Sequence, residues 1–288
     1  MAVNIPMKTN TNGAAAITPE QIGALVEAPV REASVAFNDL VSTTVTTDSH
    51  DYRIPILLED ADVEWTGEGE EIIPSDMEFD ELKVTPRKAT GLVGISSELA
   101  DDSSPDAQSQ VGRSLAERII AKVDHGFLNK QTAPNAPKGG LGNLVGTTNL
   151  ITDLSNLDFV AEAISAIELA GGNLTALIAN PADALVLAKL KESAGSNKPL
   201  LGDASEGLRA RALGMPVLTS RHCPKGTIYG VSRGDVQTIL RKGTTLAVDR
   251  SVWFTRDLVA IRSIMRVEFG VPVPARVAVI TVEAADGS

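Results

Sequence analysis

The sequence is poor in several features that mark common classes of protein. Cys223 is its single cysteine, which excludes an intrachain disulfide and a zinc site built from cysteines alone. Aromatic residues make up 3% of the chain, so we expect a core of aliphatic side chains. No apolar run approaches the roughly 20 residues of a membrane-spanning helix, and the N-terminal residues hold no apolar segment typical of a secretory signal. We therefore expect a protein that is made and used in a cytoplasm.

Basic residues are also scarce relative to acidic ones. Lys and Arg number 26 against 37 Asp and Glu, for a net charge of −11 at pH 7. A dedicated nucleic-acid-binding protein needs a basic face, so the charge balance argues against this class. The 288 residues, 43% of them hydrophobic, suffice for one large or two moderate domains with a substantial core.

Motifs that would indicate chemistry are weak or absent. Neither HExxH nor DFG occurs. The run Gly139–Gly146 lacks the GxGxxG spacing of a dinucleotide site and follows a predicted helix, so we interpret it as a flexible loop. Arg233-Gly234-Asp235 spells an adhesion tripeptide, but Gly-Asp before an apolar strand is typical of a turn. The histidines are scattered, and each offers at most one metal ligand: His50, His125 and His222. We predict no catalytic residue, no cofactor-binding residue and no metal ligand.

The most distinctive feature that is present is an acidic finger. Residues 52–57 and 81–96 are predicted strands, the second interrupted by Pro86. Between them, Trp65–Leu82 is rich in Glu and Asp and has no Lys or Arg. A charged loop is usually solvated, but apolar side chains on an exposed finger need a surface to cover. We expect contact with a neighbouring copy of the chain through Trp65, Glu68, Glu70, Glu71, Ile73, Met77 and Phe79.

A long amphipathic helix follows the finger. Ser104 can cap it, Pro105 takes its first position and Asp106 complements its positive end. Apolar residues recur every four positions from Val111 to Phe127, which predicts a helix of about 24 residues and about 36 Å.

The remainder alternates between helices and strands. We predict helices from 155–158 to Gly171 and over 182–192, the second capped by Asn180 with Pro181 at its first position. The predicted strands cover 41–47, 175–179, 215–219, 227–231, 236–240, 245–248, 258–269 and 276–282.

The order of these elements resembles the major capsid proteins of tailed bacteriophages, the Hong Kong 97 family. PEQIGALVEAPVREASVAFNDLV is similar to the end of the family's arm, the acidic finger to its extended loop, and SSPDAQSQVGRSLAERIIAKVDHGFLN to its spine helix. TALIANPADALVLAKLK resembles an axial-domain strand and helix, and VWFTRDLVAIRSIMRVEFGVPVPARVAVITV resembles the last peripheral strand and its return to the axial domain. The likeness covers nearly the whole chain.

The resemblance implies an α+β fold of the Hong Kong 97 type with defined segments. These are an N-terminal arm (1–36), a first part of the peripheral domain (37–56), an extended loop (57–85), the peripheral domain with its spine helix at about 105–128 (86–155), an axial domain (156–248), a last peripheral strand (249–271) and a terminal axial strand and tail (272–288).

The implied function is structural. Subunits would form hexamers and pentamers that close into an icosahedral head around double-stranded DNA, without sequence-specific DNA binding, catalysis, a cofactor or a membrane. The protein would be found in the virion shell after assembly in the bacterial host cytoplasm, with scaffold, portal and decoration proteins as candidate partners. The alternatives are an encapsulin-type nanocompartment shell, which typically has a helix where this chain has a polar start, a small-molecule enzyme of α/β type, and a host-surface adhesin.

Two departures from the family pattern bear on assembly. Some members join subunits by an isopeptide bond between an extended-loop Lys and a late Asn; here the tip has no Lys before Lys83, and no Asn follows Asn197. We therefore predict a non-covalent shell. Some members also begin with a large scaffolding segment; the early start of the predicted helix leads us to expect a separate scaffold protein or none.

Basic groups on the neighbouring copy would receive the acidic tip. The candidates are Arg113, Arg118, Lys122, Arg262 and Arg266.

Overall fold

The computed structural model describes residues 33–59, 63, 65–69, 77–98, 105–193, 196, 198, 200–201, 211–241 and 245–283. Most of the predicted arm, the predicted cap Ser104, and Glu70, Glu71 and Ile73 of the tip lie outside these residues. The helices with described bounds are α1 (Pro105–Leu128), α2 (Asp158–Leu169) and α3 (Pro181–Ala188). The strands are β1 (Thr43–Thr47), β2 (Tyr52–Glu59), β3 (Glu78–Val84), β4 (Arg87–Ser96), β5 (Thr148–Thr152), β6 (Ala176–Ala179), β7 (Arg211–Ala212), β8 (Met215–Thr219), β9 (Thr227–Val231), β10 (Gln237–Arg241), β11 (Thr245–Trp253), β12 (Leu258–Gly270) and β13 (Ala278–Val282).

The first sheet is built around the long strand β12. On one side Leu258–Val267 of β12 pair antiparallel with the whole of β4. On the other side it pairs with β11 and then with β10, and β1 joins β10 in parallel. Pro86 ends the pairing of the predicted strand 81–96, because proline has no N–H to donate to a ladder. That segment is therefore two strands in two sheets, β3 and β4.

Helix α1 lies across one face of the first sheet and confirms the predicted amphipathic stripe. Leu115, Ile119, Val123 and Phe127 are buried in one cluster with residues of β12. The rings of Phe127 and Phe269 are 4.8 Å apart, within the range for favourable aromatic pairs. The four-residue repeat of apolar side chains therefore lines the main core.

The second sheet has the strand order β5-β13-β9-β6-β8-β7. The buried side chains of α2, among them Phe159 and Ile167, share a cluster with Leu177 and Ile280 of this sheet. Helix α3 begins as predicted, because the Asn180 side chain accepts a hydrogen bond from the Ala182 N–H at 3.0 Å. It ends at Ala188, so its predicted extension to 192 is wrong.

Strand pairing crosses two of the predicted segment boundaries. Strand β10 falls in the predicted axial segment and β11 straddles its end at residue 248, yet both pair with β12 of the first sheet. Strand β5 falls in the predicted peripheral segment, yet it pairs with β13 of the second sheet. The sheet that a strand joins depends on pairings distant in sequence, which local patterns do not encode. The remaining segment boundaries stay predictions.

Candidate intersubunit surface

The predicted finger is a two-stranded hairpin, called the hairpin below. Strands β2 and β3 pair only with each other among the described strands. Their register runs from Tyr52 opposite Val84 to Glu59 opposite Glu78. At about 3.4 Å per residue, the eight residues of β2 extend about 27 Å. The hairpin is therefore long enough to project beyond its own subunit.

The base of the hairpin is anchored on the face of the first sheet that is turned away from α1. Ile54 and Val84 are buried against Ile239. Ile239 is the register partner of Glu268, and the alternate β12 residues Val267 and Phe269 belong to the cluster beneath α1. Because neighbouring residues of a strand point to opposite faces, the helix and the hairpin base cover opposite sides of the sheet.

Polar contacts fix the same base. The Thr85 hydroxyl donates to Asp51 at 2.6 Å, and Lys83 Nζ lies 2.9 Å from the same carboxylate. These contacts, and a further one with His50, hold the pKa of Asp51 well below its usual range. Arg53 and Glu81 form an exposed ion pair between the two strands. The hairpin is thus rigidly attached at one end.

Apolar side chains are exposed along the rest of the hairpin. Trp65 is fully exposed, and Phe79 and Met77 are 64% and 46% exposed. Leu57 stands directly opposite Phe79, and both are exposed. Glu68 is exposed as predicted. Leu57 also belongs to this surface but was not predicted, although its position opposite Phe79 in the hairpin register could have indicated it.

The five candidate basic residues do not form one patch. Arg113, Arg118 and Lys122 are exposed on α1. Arg262 and Arg266 are in register with Leu92 and Lys88, and they alternate with Ile261 and Met265, which pack beneath α1. They therefore lie on the opposite face of the first sheet from the three helix residues. A single tip cannot contact both groups on one neighbour. The five candidate basic residues therefore form two separate sets, one on α1 and one on the opposite face of the sheet.

The motifs weighed for other functions are engaged in packing. The Asp235 carboxylate of the adhesion tripeptide is bound by Arg276 Nη1 at 2.7 Å and by the Ser232 hydroxyl at 2.6 Å. Residues 230–234, GVSRG, also match the GxSxG spacing of a nucleophile elbow. Ser232 is buried, however, and it is followed by a three-residue 3₁₀ turn and then a strand rather than by the α-helix that an elbow requires. Ser232 and Asp235 are therefore held in packing contacts rather than presented to a ligand.

The glycine-rich loop is packed rather than free. Buried Glu268 accepts hydrogen bonds from the backbone N–H groups of Lys138 at 2.8 Å and Gly139 at 3.1 Å. A Cβ at Gly139 would overlap the Phe269 backbone. In the described part of the chain, no three His, Cys, Asp or Glu side chains are grouped to hold a metal ion. No described helix is both long and apolar enough to cross a membrane.

A buried carboxylate ties the chain after the predicted arm to α1. Asp124 accepts hydrogen bonds from Ser34 Oγ at 2.6 Å and from the Ala36 N–H at 3.3 Å. Burial raises the pKa of Asp124, while the hydrogen bonds from Ser34, Ala36 and Val35 and the charge of His222 oppose the rise. The first described residues are thereby held on the C-terminal part of the helix.

The raised pKa predicts a pH dependence for Asp124→Asn. Because the folded subunit holds this proton more tightly than the unfolded chain, the linked stability is fully present below the unfolded pKa of about 3.9 and is lost as pH rises through the folded pKa. Wild-type protein should therefore lose free energy of unfolding relative to Asp124→Asn from about pH 4 upward. Urea unfolding of unassembled subunits across this range measures the difference.

Asp153→Asn is the matched control for this prediction. Hydrogen bonds from Ser155 lower the pKa of Asp153. The stability that this carboxylate contributes is therefore fully present above its pKa in the unfolded chain. The difference between wild type and Asp153→Asn should stay constant above about pH 5. A constant difference for Asp124→Asn over the whole range would contradict the assignment.

A long helix across one sheet, a projecting hairpin and a second sheet with its own core together define a fold of capsid subunits. The chain is similar to the capsid of a native GTA particle, with a TM-score of 0.68 and 16% identity over 98% of this chain and 96% of that one. The match to a structure from Gordonia phage Cozz has a TM-score of 0.67 and 17% identity, and it covers 99% of this chain and 92% of that one. The match to a structure from Mycobacterium phage Adephagia has a TM-score of 0.70 and 14% identity, and it covers 88% of this chain and 91% of that one. These likenesses confirm the predicted Hong Kong 97-type fold.

The sequence comparison then identifies the family. The profile of the phage capsid family matches residues 13–282, and the chain belongs to that family. A search of curated protein sequences gives no significant match. The prediction of a structural capsid protein is confirmed, and neither the nanocompartment nor the enzyme alternative is favoured.

Proposed function

We propose that this capsid protein forms hexamers and pentamers that close into an icosahedral head around double-stranded DNA, with the hairpin of each subunit lying on a neighbouring copy. The observation that carries the proposal is the fully exposed Trp65 on a hairpin that also exposes Phe79 and Met77. Large apolar surface of this kind marks an interaction site on soluble proteins. The shell would assemble in the bacterial host cytoplasm, with scaffold, portal and decoration proteins as further partners.

Magnitudes favour the apolar contacts over the ion pairs as the main source of stability. An exposed ion pair contributes about 0–1 kcal/mol. Covering a Trp side chain buries about 150–250 Å², which at about 25 cal/mol per Å² is about 4–6 kcal/mol before the cost of association. The acidic residues would then set the register of the tip, and repetition over the shell would multiply each contact.

The role we propose is assembly and containment rather than catalysis. The net charge of −11 supports this, because an acidic inner wall does not adsorb DNA and so permits its packing and ejection.

Fluorescence of Trp65 tests the placement of the tip. The chain has two tryptophans, so Trp253→Phe leaves Trp65 as the single reporter. We expect red-shifted emission in unassembled subunits and a clear blue shift in assembled particles, because the indole leaves water. Emission that is identical in the two states would contradict contact between the tip and a neighbour, and Trp65→Phe serves as the matched control that reports Trp253.

Denaturing electrophoresis tests the proposed non-covalent shell. Assembled particles boiled in detergent should give a single band at the subunit mass of 30.2 kDa, because the tip offers no Lys and no Asn follows Asn197. A ladder of multimers would contradict this prediction.

A further inference from the structure

Strand β1 forms an open edge of the first sheet. Among the described strands it pairs only with β10. The Thr43 N–H donates to the carbonyl of the residue that precedes β10, at 2.8 Å, and backbone groups alternate in direction along a strand. Thr43, Val45 and Thr47 therefore bond to β10, whereas Thr44 and Thr46 direct their N–H and C=O groups away from the sheet. These groups have no partner among the described residues.

This edge lacks the features that protect edge strands from pairing with other chains. Charged side chains, proline and bulges are the usual means of protection. Strand β1 has none of them, because its sequence is TTVTT and its register with β10 is regular. Thr and Val both favour strands. None of the five side chains is buried, so a further strand can lie alongside without displacing described residues.

The sequence of β1 is the same in both directions, so the strand is complementary to itself. Two copies that meet antiparallel about Val45 form only Val–Val and Thr–Thr pairs, and Thr–Thr pairs stabilise sheets. The facing pairs are Val45 with Val45, Thr44 with Thr46 and Thr43 with Thr47. Thr44 of one copy and Thr46 of the other then exchange both of their backbone hydrogen bonds. The backbone groups left open in one subunit are thereby satisfied.

Two other open edges are less suited to such pairing. Strand β4 lies beneath α1, where a Cβ at Gly91 would come 3.0 Å from Leu115. Packed helices need about 8–10 Å between their axes, whereas adjacent strands are about 4.8 Å apart, so two paired β4 strands would bring their helices into collision. The β5 sequence, TNLIT, is not symmetric, and its Asn149 amide already donates to the Thr147 carbonyl.

We propose that two subunits pair through β1 about a two-fold axis, so that their first sheets join into one. The occupant of the open edge is thus a second copy of this chain. Neighbours within a hexameric or pentameric ring present different surfaces to each other, whereas a two-fold contact uses the same surface twice. The paired subunits therefore belong to different rings. This proposal rests on the proposed function and adds to it the contact that joins the rings.

Disulfide trapping tests the pairing in assembled particles. Val45 and its copy form a non-hydrogen-bonded pair with Cα atoms about 4.5 Å apart, which a disulfide can span. Burial raises the pKa of the native Cys223 thiol and keeps it unreactive. Oxidised particles of Val45→Cys should therefore run mainly as covalent dimers in non-reducing denaturing electrophoresis, and wild-type particles as single subunits.

Thr43→Cys is the matched control for the disulfide. Thr43 is more exposed than Val45 and lies on the same face of the strand, but the pairing places its own copy more than about 13 Å away. Thr43→Cys alone should give no dimers, and particles that mix Thr43→Cys with Thr47→Cys subunits should give them. Absence of dimers from Val45→Cys particles, or equal dimer formation by Thr43→Cys alone, would overturn the proposal.

Thr46→Pro separates closure of the shell from folding of the subunit. The Thr46 N–H faces away from β10, so proline removes a hydrogen bond from the proposed pair and none from the subunit. The yield of closed particles should fall about tenfold, while rings persist and the unfolding temperature of the unassembled subunit is unchanged. Thr46→Val keeps the N–H and should close as wild type does. Normal closure of Thr46→Pro particles would contradict the pairing.

The Trp65 reporter distinguishes this proposal from the one on which it rests. If particles of Trp253→Phe show the blue shift but Val45→Cys particles give no dimers, the hairpin contact stands and only the β1 pairing is refuted. If neither the shift nor the dimers appear, both proposals fail.

Discussion

Reversing the charge of the hairpin tip, with Glu68, Glu70 and Glu71 all changed to Lys, should prevent the formation of closed particles. The change places three positive charges where a neighbour would present cations, so the contact that sets the register becomes repulsive in every copy. The repulsion is repeated over the shell, and its effect on closure is much larger than on any single pair. Particle yield measured by sedimentation should fall below detection.

The subunit itself should remain folded in this variant. Glu68 is exposed and the described core does not include the tip, so the thermal unfolding temperature of the unassembled protein should be unchanged. Glu162, Glu168 and Glu283 are exposed acidic residues outside the hairpin, and changing all three to Lys makes the same charge change. This control should assemble as wild type does. Normal particles from the tip variant would refute the account of the tip.

Phe127→Ala should have the largest effect on the stability of the subunit. Phe127 is fully buried at the C-terminal end of the apolar stripe of α1, with its ring against Phe269. Removing a buried Phe ring costs about 3–5 kcal/mol, which is a large part of the roughly 5–15 kcal/mol that stabilises a typical domain. Urea unfolding of the unassembled subunit should show a lower midpoint with an unchanged slope.

Phe254→Ala is the matched control for the core substitution. Phe254 is 83% exposed, so the same truncation should change the free energy of unfolding by less than about 0.5 kcal/mol. Equal losses for the two variants would contradict the assignment of Phe127 to the core.

The parts of the fold that could be predicted are those with a local signature. The stripe from Leu115 to Phe127 predicted α1 because a 3.6-residue period specifies which face is buried. Asn180-Pro181 predicted the start of α3 because capping depends on adjacent residues. The acidic and apolar alternation indicated the hairpin for the same reason.

The parts that could not be predicted depend on distant pairings. Strand β1 pairs with β10, beginning with Thr43 opposite Gln237. No local pattern in either segment indicates that the two strands pair. The prediction of the candidate site was limited in the same way. Arg262 and Arg266 share a face of β12 by simple alternation, but only the position of α1 shows that Lys122 lies on the opposite face.

Electron microscopy of the purified protein tests the central claim most directly. The account predicts closed icosahedral particles, or the hexameric and pentameric rings from which they are built, with the hairpin of each subunit seen on its neighbour in an averaged map. Particles or rings in which the hairpin contacts no other subunit would contradict it.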